Sequence, residues 1–99
     1  RNSQVFSLVK HLQDHDIEVS VADPLADPVL VERDHGIELV PIAQLLPASA
    51  LVIAVPHQMF GTGEELISKL MYSDGVLVDV KSAYRDVVAN RPDFTYWSL

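Results

Sequence analysis

Apolar residues change their spacing several times along this chain, and each change predicts a new element. Val5, Leu8, Val9 and Leu12 recur at i, i+3, i+4 and i+7, the buried stripe of a helix over residues 3–15 that Ser3 would cap. Ile17, Val19 and Val21 then alternate with Glu18 and Ser20, a half-buried strand that stops at Asp23-Pro24. Asp27-Pro28 opens a short helix, cap first and proline in the first turn, and Gly36 closes it. Residues 38–40 read as a brief extended piece, and residues 42–46 as another short helix that Pro47 stops. Two apolar strands follow, 51–55 and 76–80, with a helix over 63–71 between them and Gly75 turning the chain into the second. A helix over 83–89 and a short strand over 94–97 come last.

Strands separated by helical patterns predict βαβ units. The expected fold is α/β: a Rossmann-like three-layer domain with a mostly parallel sheet. The opening helix has no strand before it, so the sheet is expected to lack its first strand and the chain to be a piece of something longer. At 99 residues it is expected to form a single domain, 1–99. No internal repeat or low-complexity tract interrupts it.

In an open α/β sheet, ligands sit outside the carboxyl ends of the strands. The strand at 51–55 runs into Pro56-His57-Gln58, and the strand at 76–80 into Lys81-Ser82. His57, Gln58, Lys81 and Ser82 are therefore expected on one rim, with Lys81 the cation that directly follows a core strand. The formal net charge of −7 argues against a nucleic-acid partner, which needs a basic face. It also confines any anionic ligand to local positive spots, and only Lys81 and Arg85 fall close together beyond a strand end. There is no cysteine, which removes disulfides and thiol chemistry from consideration. The apolar stretch 48–56 is too short to span a bilayer, so no membrane partner is expected and the setting is taken as cytoplasmic.

Other constellations each have a bland reading to weigh against a functional one. His11 and His15 have the i, i+4 spacing of paired metal ligands, but Lys10, Gln13, Asp14 and Asp16 around them describe a solvated face, and no metal is expected. The stretch Phe60-Gly61-Thr62-Gly63-Glu64-Glu65 has the glycines of a phosphate loop without its lysine, and its glutamates suit a helix start instead. Asp23 and Asp27 could hold a ligand hydroxyl, yet aspartate before proline is ordinary turn chemistry. Asp79 either caps a local network, leaving Lys81 a solvated side chain, or accompanies a Lys81 that meets a phosphate as a point charge. No nucleophile has an adjacent base, so this stretch alone is expected to be inactive.

A set of short segments in fixed order carries a family resemblance: Arg1-Asn2-Ser3, Ala22-Asp23-Pro24, Ala26-Asp27-Pro28, Asp34-His35-Gly36-Ile37-Glu38-Leu39, Ala54-Val55-Pro56-His57-Gln58-Met59-Phe60, Leu77-Val78-Asp79-Val80-Lys81 and Tyr96-Trp97-Ser98-Leu99. Together they resemble the C-terminal UDP-binding domain of the UDP-glucose/GDP-mannose dehydrogenases, nearest to the bacterial branch that oxidises UDP-N-acetylhexosamines for surface polysaccharides. The resemblance implies an NAD-dependent UDP-sugar 6-dehydrogenase that takes the C6 alcohol to a carboxylate. The NAD domain, the central domain and the catalytic cysteine would lie outside this chain and act as its partners. It further implies that Lys81 contacts the UDP moiety, where many relatives have arginine, and that Arg1 reaches the NAD of the neighbouring domain. His57 and Ser82 join Lys81 as candidate substrate contacts through their place on the rim. Ala22 stands where the hexosamine branch often has tyrosine. Exposed sheet edges would favour self-association into a homo-oligomer. The alternative is a free-standing receiver-like signalling module, for which Asp23, Asp79 and Lys81 at strand ends give a footing.

Overall fold

The computed structural model describes residues 3–89 and 91–99, leaving Arg1 and the Ser3 side chain outside the described part. The chain is α/β, and it packs as two compact units, residues 1–45 and 46–99, each with its own apolar cluster.

The first unit carries helices α1, Ser3–Asp14, and α2, Pro28–His35. Val9, Val31 and Ile37 are buried together, with Phe6, Val19, Val21, Ala26 and Leu39 packed against them. The packed side of α1 is therefore centred on Val9 and Phe6, whereas Leu8, expected inside, is exposed. Helix α2 has the ends its sequence prescribes. The Asp27 side chain accepts from the Val29 amide at 2.9 Å, Pro28 sits in the first turn, and Gly36 closes the helix in the left-handed region at φ 66°. The strand expected over 17–21 is reduced to one parallel bridge, Val21 with Leu39, sealed by Val40 N–H donating to the Val21 carbonyl at 2.8 Å. Proline bounds both segments, Pro24 on one and Pro41 on the other, and neither can donate to a longer ladder. Residues 42–44, at the start of the expected 42–46 helix, form a single 3₁₀ turn, Ile42–Gln44.

The second unit holds a three-stranded, all-parallel sheet in the order β1, Ala48–Ile53, β2, Met71–Asp79, and β3, Thr95–Ser98. Helix α3, Glu64–Leu70, connects β1 to β2, and the short α4, Arg85–Val88, lies between β2 and β3. Ile53, Ile67, Met71, Leu77, Tyr84 and Val88 form the buried core. β1 starts earlier and stops sooner than the 51–55 apolar run, because β2 ends at Asp79 and Ile53 is the last residue with a partner. β2 begins at once after α3, but its register jumps: Ala48 faces Met71 and Ala50 faces Val76. The irregular stretch of β2 between them includes Asp74 at φ 68° and the buried Gly75, where a Cβ would stand 2.9 Å from the Ser49 carbonyl oxygen. That close approach is why glycine occupies the position.

Candidate ligand rim

Because all three strands are parallel and Asp79 is the register partner of both Ile53 and Ser98, the segments that follow β1 and β2 leave the sheet at one end. The last ladder contact there is Val80 N–H donating to the Ile53 carbonyl at 3.1 Å. Beyond it lie His57 in the connection after β1 and Lys81 and Ser82 in the connection after β2.

Asp79 organises this end. It is fully buried, and both carboxylate oxygens are engaged. One accepts from the Ala83 amide at 3.1 Å, and the other from the Tyr84 amide at 2.8 Å and the Tyr96 hydroxyl at 2.7 Å. A carboxylate without such donors would be costly in an apolar core, whereas charge-assisted bonds to two amides and a phenol offset its desolvation. The chain consequently folds back on itself after β2, with Ser82 N–H donating to the Asp79 carbonyl at 3.1 Å. Ser82 takes a left-handed φ of 56°, unusual for a non-glycine residue, and its hydroxyl donates to the Leu99 carbonyl at 3.2 Å. Lys81 stands exposed at the tip of this turn.

His57 is half-buried. It precedes a 3₁₀ turn, Gln58–Phe60, and its ring meets Phe60 edge-on with centroids 5.3 Å apart. Gln58 is exposed. Tyr84 lies in the core beside this connection, its ring against the Gly63 backbone. Burial pushes the Tyr84 phenol above its ordinary value, with a backbone hydrogen bond from His57 pulling the other way. The Tyr96 phenol is also raised, first by burial and then by its hydrogen bond to Asp79. Arg85 reaches β3 as well, donating to the Ser98 hydroxyl and lying 5.6 Å from the centre of the Tyr96 ring.

The remaining candidates take structural roles. Asp23 accepts from the Leu25 amide at 3.0 Å, and Asp27 caps α2. His15 Nδ1–H donates to the His11 carbonyl at 2.9 Å, and the two rings lie tilted at 49° with centroids 4.6 Å apart. Among the described residues no three His, Cys, Asp or Glu side chains gather as a metal site, and no helix is long and apolar enough to cross a membrane. Sequence reasoning gave Tyr84, Tyr96 and Gly63 no part in building the rim. The usable signal was Asp79 itself: a carboxylate ending an apolar strand needs donors, and Tyr96 lies on the adjacent strand one pleat away on the same face.

The model of the UDP-glucose/GDP-mannose dehydrogenase family, UDP binding domain, matches residues 1–86. The chain belongs to this family. The matched stretch is the UDP-binding part of an NAD-dependent dehydrogenase family, and β3 lies beyond the match. Among curated proteins, the UDP-N-acetyl-D-glucosamine 6-dehydrogenases of Salmonella typhi and Pseudomonas aeruginosa are each 32% identical, over 84 and 82 residues. Protein CapL of Staphylococcus aureus is 25% identical over 81 residues. Each alignment takes in 82% of this chain and 19% of the relative, so the chain spans about a fifth of the length of the proteins it matches. No solved structure matches. An NAD pyrophosphate does not fit the glycine-bearing turn after β1: the space at Gly63 is filled by the Tyr84 ring, and α3 opens with Glu64 and Glu65.

Proposed function

We propose that this chain is the UDP-holding part of an NAD-dependent UDP-sugar 6-dehydrogenase, with a UDP-N-acetylhexosamine as substrate and surface polysaccharide as destination. The observation that carries the reading is Lys81, an exposed cation on a braced turn at the carboxyl end of the central strand of a UDP-binding domain. Likeness to two UDP-N-acetyl-D-glucosamine 6-dehydrogenases supports the choice of hexosamine. In this reading the Lys81 ammonium meets the diphosphate as a point charge, and the Ser82 and His57 positions flank it. Arg1, outside the described residues, would reach toward NAD on a neighbouring domain.

The domain contributes no group to the chemistry. Its work is to fix the UDP end so that the sugar C6 lies where the rest of the enzyme oxidises it, and such positioning alone is a large source of rate. A cytoplasmic homo-oligomer is the setting proposed for the whole enzyme.

The test is Lys81→Ala in the intact dehydrogenase that carries this chain. A lost contact between charged groups should raise the KM for UDP-N-acetyl-D-glucosamine by roughly tenfold or more and leave the KM for NAD unchanged. Unaltered KM and kcat for the sugar nucleotide would remove Lys81 from the site. A receiver-like role draws no support from Asp79, whose two oxygens are buried and already hydrogen-bonded.

A further inference from the structure

Three separate contacts tie the turn that carries Lys81 to residues 96–99. The Tyr96 hydroxyl donates to Asp79, the Ser82 hydroxyl donates to the Leu99 carbonyl, and Arg85 donates to the Ser98 hydroxyl. Every one joins the segment 79–85 to β3 or the residue after it. We propose that β3 is a strap that fixes the Lys81 turn for its anionic ligand, with Tyr96 a positioning residue that acts through Asp79. This rests on the assignment of Lys81 to the diphosphate, and it adds a residue from beyond the stretch that the family match covers.

The need for a strap follows from the turn itself. Ser82 holds a left-handed backbone conformation that costs a non-glycine residue free energy, and such a conformation persists only where its surroundings over-determine it. Lys81 is exposed, so the turn's backbone decides where its stem starts. Asp79 supplies the inner half of the restraint by accepting from the Ala83 and Tyr84 amides. The oxygen that accepts from the Tyr84 amide also accepts from the Tyr96 hydroxyl, so the neighbouring strand adds a restraint on the carboxylate that the turn's own amides do not supply. The Arg85 guanidinium near the Tyr96 ring in turn limits the ring's freedom. A turn fixed before binding does not have to be ordered by the ligand, which raises affinity.

The test is a double-mutant cycle on UDP binding by titration calorimetry, using the intact protein that carries this chain. The four proteins are the parent, Tyr96→Phe, Lys81→Ala and the double variant. Tyr96→Phe keeps the ring and removes the hydroxyl. It should weaken UDP binding roughly fivefold when Lys81 is present and add nothing once Lys81 is gone. Equal weakening in both backgrounds would overturn the proposal, since a generally loosened domain would weaken binding whether or not Lys81 is there. Amide exchange of Ala83 and Tyr84 is read on the same proteins and separates the two assignments. If Lys81→Ala leaves UDP binding unchanged, the Lys81 assignment fails by itself. Faster exchange in Tyr96→Phe confined to residues 80–84 then still supports the strap, and unchanged exchange overturns it.

Discussion

A Cβ on Gly63 would stand 2.6 Å from Tyr84 Cε1, and the residue sits at φ 85°. Two penalties therefore combine in Gly63→Ala. Left-handed backbone costs alanine about 1 kcal/mol relative to glycine, and forcing a methyl into a filled core costs about 1–3 kcal/mol more. A loss of about 2–4 kcal/mol in unfolding free energy should appear as a lower urea midpoint with an unchanged slope, and a loss below 1 kcal/mol would mean that the ring moves aside freely. The sequence shows the glycine but not its reason, because Gly63 and Tyr84 meet only once β1, α3 and β2 have formed. Lys81 and Asp79 were legible for the opposite reason. Both sit where a long apolar run breaks into polar residues, and that local contrast is enough to place them at a strand end.

Among the elements, α2 shows how far local chemistry reaches. Asp27, Pro28 and Gly36 mark its two ends in the sequence, and the helix runs between them as Pro28–His35. Asp27→Ala removes the acceptor for the Val29 amide and should cost about 1 kcal/mol, whereas Asp27→Asn should keep most of it. Thermal denaturation followed by far-ultraviolet circular dichroism of the three proteins would check this, and equal melting of Asp27→Ala and the parent would show that the cap is not stabilising. Strands were less legible than helix ends. The alternation over 17–21 identifies Val19 and Val21 as inward-facing, and both pack on the first unit's core. Alternation says nothing about a partner, however, and only Val21 has one. The start of β2 was hidden for a related reason: Met71 is an apolar end to α3 and also the first residue of a strand, and only pairing with Ala48 distinguishes the two. Register is a relation between segments, so periodicity along one segment cannot contain it.

At the scale of the whole molecule, the buried edge of the sheet links stability to alkaline pH. The Tyr84 and Tyr96 phenols are both held above the ordinary value of 10.0, chiefly because burial disfavours the phenolate. For Tyr96 a second cause is its bond to Asp79, in which only the neutral phenol can donate. The unfolded chain ionises these groups near their ordinary value, while the folded chain keeps them protonated to higher pH. Their contribution is thus fully present below about pH 10 and is lost as pH rises through the folded values. Unfolding free energy from urea titrations should be level with respect to these two groups up to about pH 9 and fall beyond pH 10. Tyr96→Phe should start lower at neutral pH, having lost a bond to a buried carboxylate, and then decline less steeply above pH 10 because one of the two ionisations is gone. A parallel decline in parent and variant would place the alkaline loss elsewhere. On the proposed assignment the same hydroxyl governs two properties of the domain: the pH range in which its sheet edge is stable, and the rigidity of the turn that carries Lys81.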